Sequence, residues 1–316
     1  MSFMYNPFPF DDPKPVNRPE LSEKTVSSVV SGGTPNVAKK FAAGIIEKAH
    51  GKNQVVAFDG YTTVDWTVFL NLLARECAAA GIEFESVDAN AECFKSGKEI
   101  DGMIDPLLIW DKKIDPTLLY GKIYKGGYEG MLDEERTQAF EKKVAELGKG
   151  SGKVVAVFGY GVLIPRFRAL YDTKCFFDVT PKTSILRIRR GEYVNIGKKR
   201  PDMINRVIRR CYYCDFEMAV CSRRELLRNN VPDFWFLSDD PQNIQMLPYE
   251  AFADICAQLV KYPFRAKPCY LEGVWGGSYM KKHRNLPEKM RNAAWVFDFI
   301  PMEVSVVVEA GSEKLD

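Results

Sequence analysis

The sequence predicts an α/β protein: a three-layer domain with a mainly parallel sheet, followed by an incomplete all-β segment. Three observations predict it. Short apolar runs alternate with amphipathic stretches over residues 35–260, the pattern of strands crossing over through helices. Two of those runs, Val55–Phe58 and Val154–Phe158, both lead into a Gly-Tyr turn: Val-Val-Ala-Phe-Asp-Gly-Tyr at 55–61 is echoed by Val-Val-Ala-Val-Phe-Gly-Tyr at 154–160. After Tyr262-Pro263 helical signals thin out, and a β-like run stands at Val304–Val308. These shifts divide the chain into an N-terminal arm (1–34), an α/β domain (35–264) and a β segment (265–316).

The elements follow in order. Residues 6–34, rich in Pro, Ser, Asp and Gly, read as an extended arm. Residues 35–50 form an amphipathic helix with Pro35 near its start. Strand Val55–Phe58 leads through Asp59-Gly60 to a helix over 64–80, which Gly81 caps. A second strand, Phe84–Val87, ends at Asp88. Residues 89–130 read as irregular, punctuated by Asp105-Pro106, Asp115-Pro116 and Gly126-Gly127. A charged helix over 132–147 precedes strand Val154–Phe158 and the turn Gly159-Tyr160-Gly161. Strand Cys175–Val179 is followed by a basic helix opening at Thr180-Pro181. One long helix covers 201–229 with Pro201 in its first turn, then come strand Asp233–Leu237 and a helix over 249–260.

Composition sets limits on function. The 316 residues are 46% hydrophobic and 27% charged, with a net charge of +2. That balance makes no case for nucleic acid or an acidic membrane. No apolar run nears the roughly 20 residues that span a bilayer, and the N-terminus lacks a signal-peptide pattern, so a cytoplasmic location is expected. Eight cysteines and two histidines suit reduced, packed thiols. Cys211-x-x-Cys214 with Cys221 lies in a helical pattern and lacks a second pair, so packing is expected there, not metal.

In parallel sheets the ligand crevice lies at the carboxyl ends of the strands, where Asp59, Gly60, Tyr61, Asp88, Gly159 and Gly161 gather. Tight turns alone would also use these residues. Strand, glycine turn and helix is the layout of a P-loop, but the full G-x-x-x-x-G-K-[ST] string is absent. Asp65 and Trp66 stand where the lysine and the Mg-binding hydroxyl are expected. Gly148–Lys153 is P-loop-like in composition, but it precedes its strand and reads as a flexible loop. Arg206, Arg209 and Arg210 read as a solvated stripe on one helical face, with Ile204, Val207, Ile208 and Cys211 on the other.

On these residues 52–240 resemble a degenerate uridine-kinase-like, P-loop domain. The resemblance implies that Asp88 is the base toward a hydroxyl. It also implies that Arg187, Arg189 and Arg190, in Ile185–Arg190, cover phosphates like a lid, with Lys122 a further substitute for the missing lysine. Mg-ATP is the cofactor that such a crevice implies. Residues 268–314 resemble the opening of class I mannose-6-phosphate isomerases, through Leu271–Gly277 with its Trp-Gly-Gly turn, Ala293–Asp298 and Ser305–Gly311. Asp59-Gly60-Tyr61 and Gly121-Lys122-Ile123-Tyr124 resemble the bacterial members that join a kinase-like region to a cupin half. That family implies zinc in a cupin barrel, with Trp275 a sugar-facing candidate and Trp275 and Trp295 otherwise packing residues. Its ligand strings follow the segment present here, and His283 lacks a partner histidine, so no metal ligand is assigned. The sequence then reads as the front part of a longer isomerase-like protein, with the missing cupin region as its partner, or as a relative that lost the catalytic half. Two other readings stay open: an active nucleoside or sugar phosphotransferase, and a non-catalytic module that binds a nucleotide or small phosphorylated metabolite.

Overall fold

The computed structural model describes residues 16–116, 120–261, 264–268, 294–296 and 304–316. In chain order the elements are β1 (Val16–Asn17), α1 (Glu23–Ser27), α2 (Thr34–Ala49), β2 (Gln54–Gly60), α3 (Thr67–Ala79), β3 (Glu83–Asp88), α4 (Ala89–Cys93), α5 (Gly97–Ile104), α6 (Glu134–Leu147), β4 (Lys153–Phe158), β5 (Thr173–Asp178), α7 (Pro181–Arg189), α8 (Ile204–Arg210), α9 (Phe216–Arg228), β6 (Phe234–Leu237), β7 (Gln245–Pro248) and α10 (Tyr249–Leu259). Short strands follow: β8 (Phe264–Pro268), β9 (Ala294–Val296), β10 (Val304–Ser305), β11 (Val307–Ala310) and β12 (Glu313–Leu315).

A six-stranded sheet runs β3-β4-β2-β5-β6-β7. It is parallel except for edge strand β7. β2 is buried along its whole length, as expected of a strand covered on both faces. The two echoed sequences are neighbours in register, Val55 opposite Val155 and Phe58 opposite Phe158. On one face Phe41 of α2 and Phe69 of α3 meet Phe58 and Phe236, with ring centroids 5.2–5.9 Å apart. On the other, Trp235 stacks on Phe252 of α10 at 4.3 Å. These offset and edge-on aromatic contacts give the α/β/α layering its centre.

Several expectations are corrected. The stretch 89–130 holds α4, α5 and two 3-10 turns, Asp105–Leu107 and Glu129–Met131. Asp88 caps α4, and Ser96 with Glu99 forms a reciprocal capping box on α5. Helix α3 starts at Thr67, not 64, because the Asp65 carboxylate accepts the Thr67 N–H. The long helix over 201–229 is α8 and α9 joined by a π-helical turn, Cys211–Asp215, and Pro201 lies ahead of it. β7 was not expected. Loop 148–153 is tied down, not flexible. Asn53 donates to the carbonyls of Leu147 and Lys149 and accepts from the Lys153 N–H.

The arm is not wholly extended, since α1 packs along α10 and Thr25 donates to Asp254 at 2.6 Å. β1 pairs with β11 in a small sheet, β1-β11-β12. Its Val308, Ala310 and Leu315 pack against Leu247, Ala251 and Ile255 of β7 and α10. The strings 271–277 and 293–298, with Trp275 and His283, lie outside the described residues apart from the backbone of β9. Among the described residues no helix is long and apolar enough to cross a membrane.

Candidate functional site

The crevice is positioned by topology. From β2 the chain turns toward β3, and from neighbouring β5 it turns the other way toward β6, which opens a switch point at the carboxyl ends of these strands. A cleft of about 660 Å³ lies there, lined by Thr63, Asp65, Tyr160, Arg187, Arg190 and Glu192 among others.

The turn after β2 is bound up with its own surroundings. The Tyr61 N–H donates to Phe177 O, the Val64 N–H to Tyr61 O, and the Thr63 N–H to the Tyr160 hydroxyl. Thr63 sits at φ +74°, a sparsely populated conformation for a β-branched residue. The Thr62 carbonyl accepts from Ser184, and the Thr63 carbonyl from Arg187 at 2.7 Å. A side chain at Gly60 would meet Val64 at 2.6 Å and the Phe177 carbonyl at 3.1 Å, so only glycine fits this packing.

Asp59 points away from solvent, at 1% exposure. Its carboxylate accepts the N–H groups of Gly60, Gly161 and Leu163 at 2.7–3.0 Å. One acid therefore welds the β2 turn to the β4 turn. Burial pushes its pKa up to about 6, and the three N–H groups only partly offset that. Gly161 at φ +76° has no room for a side chain beside Tyr128, and Gly159 faces Asn90.

The other expected residues disperse. Arg187 is 7% exposed and donates to three carbonyls, those of Thr63, Ser238 and Asp239. Arg190 forms a two-pronged pair with Glu192, and Arg189 is exposed. Asp88, on edge strand β3, is exposed and caps α4 by accepting the Ala91 N–H at 3.0 Å. Lys122 is exposed beside the Leu108–Gly121 bridge. The structure thus joins Asp59, Gly60, Tyr61, Gly161 and Arg187, keeps Arg190 on the wall of the same cleft, and leaves Asp88 and Lys122 apart from them. Tyr61 is fully buried against Phe216, with the Arg223 guanidinium 4.6 Å from its ring centre. Burial raises the Tyr61 pKa to about 12.

The arginine stripe on α8 is corrected. Arg209 and Arg210 are buried, at 5% and 4%, while Ile204 is 44% exposed. Arg210 pairs with Asp101 at 2.7 Å and donates to Ile196 O. Arg209 donates to the carbonyls of Ile109 and Tyr120 and lies over the Trp110 ring. Helix α8 is only two turns long and is packed on the side of Arg209 and Arg210 by the 105–110 and 195–198 segments, so that side is covered by protein, not by solvent. In the π turn Asp215 is held by Tyr193 and Asn195 at 2.9 and 2.7 Å. Cys211 and Cys214 are buried. Among the described residues no group of three or more His, Cys, Asp or Glu is arranged to hold a metal, so no residue here is matched to zinc. Sequence reasoning missed Trp110 and Asp215, neither of which belongs to a motif.

No curated protein matches the chain. Among solved structures, a protein assigned as a fructose transport system kinase from Silicibacter sp. TM1040 overlaps at TM-score 0.40 and 16% identity, over 59% of this chain and 94% of that one. A possible uridine kinase from Bacillus stearothermophilus overlaps at TM-score 0.39 and 9% identity, over 62% and 96%. Shikimate kinase from Bacteroides thetaiotaomicron overlaps at TM-score 0.26 and 13% identity, over 55% and 98%. Overlaps at these scores carry no weight on chemistry. The model of a domain of unknown function, DUF8485, matches residues 35–261, and the chain belongs to that family.

Proposed function

We propose that this chain is a non-catalytic module of kinase-like α/β architecture, which binds a nucleotide or small phosphorylated metabolite without transferring the phosphoryl group. One observation carries the reading: the turn after β2 spends its polar groups on the protein itself. Phosphoryl transfer depends on positive charge and N–H donors held open at the phosphates. Here the N–H groups of Gly60, Tyr61, Thr63 and Val64 donate to Asp59, Phe177, Tyr160 and Tyr61 of the protein itself. Asp65, Glu192, Asp239 and Asp240 line the same cleft, and its two arginines are engaged, Arg187 by three carbonyls and Arg190 by Glu192. These residues do not fit Mg-ATP phosphates, and no step is routed through them.

The isomerase reading rests largely on strings outside the described residues and is not carried forward. The test is turnover. The chain, incubated with Mg-ATP and a panel of nucleosides and sugars, is expected to form no phosphorylated product above background. Turnover that Asp88→Asn abolishes would reinstate the phosphotransferase reading with Asp88 as its base.

A further inference from the structure

A second cleft, of about 340 Å³, lies away from the β2 turn, between the end of α5 and the start of α8. Its volume suits one small ligand and is at the low end for such sites, about 300–1000 Å³. Lys112, Lys198, Arg206 and Arg210 line it, against the carboxylates of Asp105 and Asp202. Behind it Asp101 is shared by Lys198 at 2.6 Å and Arg210 at 2.7 Å. Those two bonds hold Asp101 below its ordinary pKa even though burial works against them, so it stays charged and anchors the two cations. Lys199 and Arg200 extend the positive charge along the loop into α8.

Two features point to a ligand with both a phosphate and a base. Lys112 and the half-exposed Arg206 bring cationic groups to the cleft, and the buried Arg210, held by Asp101 at 2.7 Å and by the Ile196 carbonyl, adds a fixed positive charge to its wall. Trp110 stands at the rim at 40% exposure, with Arg206 and Arg209 held 5.3 and 4.7 Å from its ring centre. An anchored indole next to guanidinium groups offers a stacking surface for a base and charge for its phosphate.

We infer that this cleft is a mononucleotide site, with Arg206 and Lys112 meeting the phosphate, Arg210 supplying fixed charge in the wall, and Trp110 meeting the base. The inference rests on the binding-module reading and gives it a location outside the β2 turn.

Calorimetric titration of the full chain with AMP, UMP, adenosine and inorganic pyrophosphate tests it. At least one nucleotide is expected to bind more tightly than adenosine or pyrophosphate, and more weakly as salt rises. The exposed double variant Lys112→Ala/Arg206→Ala is expected to lose on the order of tenfold or more in affinity. A control, Lys39→Ala/Lys40→Ala on exposed α2 positions, is expected to lose none. Two results would overturn the site: no nucleotide binding, or equal binding by the double variant. Pyrophosphate bound as tightly as the nucleotide would overturn the nucleotide assignment in favour of an anion site only. Nucleotide binding that the double variant leaves unchanged overturns this site and leaves the binding-module reading standing, whereas binding of no nucleotide removes the nucleotide from both; the turnover assay tests the absence of transfer separately.

Discussion

Arg187 on α7 and Arg206 on α8 look alike in sequence, each a basic residue in an arginine-rich helix, and the structure gives them opposite work. Arg187 is buried, and its guanidinium ties three carbonyls from two loops. Arg206 is half exposed, 3.7 Å from Asp202, with its guanidinium beside Trp110. A guanidinium within reach of buried carbonyls becomes scaffold, because carbonyls removed from water need donors. One at a cleft rim keeps donors for something else. On the proposed reading the turn that looks like a phosphate site is structural, and the stripe that looks like a solvated face borders an open, charged cleft.

The harshest way to break this comparison is at Asp59. Asp59→Ala strands three buried N–H groups, each costing about 1–3 kcal/mol when unpaired. A loss of roughly 4 kcal/mol is expected, which is a large part of a domain's stability of about 5–15 kcal/mol. Urea denaturation measures it, and a loss below about 1 kcal/mol would mean that the weld between the two turns is not what holds them. The acid also leaves a pH signature. Its folded pKa of about 6 lies above the ordinary value of 3.8, so the folded state holds this proton more tightly. The stabilisation from the bound proton is present below about pH 4 and is lost as pH rises through about 6. Thermal melts from pH 4 to 7 are expected to fall further in the wild type than in Asp59→Asn. Equal slopes would remove Asp59 from the account.

The comparison sharpens at the two arginines. Arg187→Met keeps the bulk and removes the donors, leaving the Thr63, Ser238 and Asp239 carbonyls short of partners. A loss of about 2–3 kcal/mol is expected. Arg206→Ala, on the surface, is expected to stay within about 0.5 kcal/mol of the wild type. If the two variants unfold at the same denaturant concentration, Arg187 is not structural, and it returns as a candidate phosphate contact.

Much of the fold was legible because the central strands β2 and β4 are continuous apolar runs buried on both faces. Val55–Phe58 and Val154–Phe158 even pair in the register that their echo suggests. The short helices were harder. α4 has five residues, too few to show a period, although Ser96 and Glu99 spell a capping box at the start of α5. β7 hid because Gln-Met-Leu-Pro is short and ends in proline. The site was far less legible. Asp59 could be read as a residue at a strand end, but its partners Gly161 and Leu163 lie about a hundred residues on. Nothing local says that its carboxylate faces them and not a ligand. The Trp110 cleft joins α5, the 195–202 loop and α8, which meet only through the fold.

The smallest effect is expected for Asp88→Asn, and there the distinction between the readings is cleanest. As the cap of α4 its carboxylate needs only to accept one N–H, from Ala91. Asn fills that role nearly as well as Asp, whereas Ala costs about 1 kcal/mol. Asp88→Asn should therefore melt within a few tenths of a kcal/mol of the wild type, and Asp88→Ala should melt measurably lower. A base toward a substrate hydroxyl would show the reverse dependence on charge: Asn would remove function and leave the cap intact. Melting both variants beside a phosphoryl-transfer assay sets the two roles apart. Stability that follows capping strength, with no activity to lose, places Asp88 among the groups that build the sheet edge.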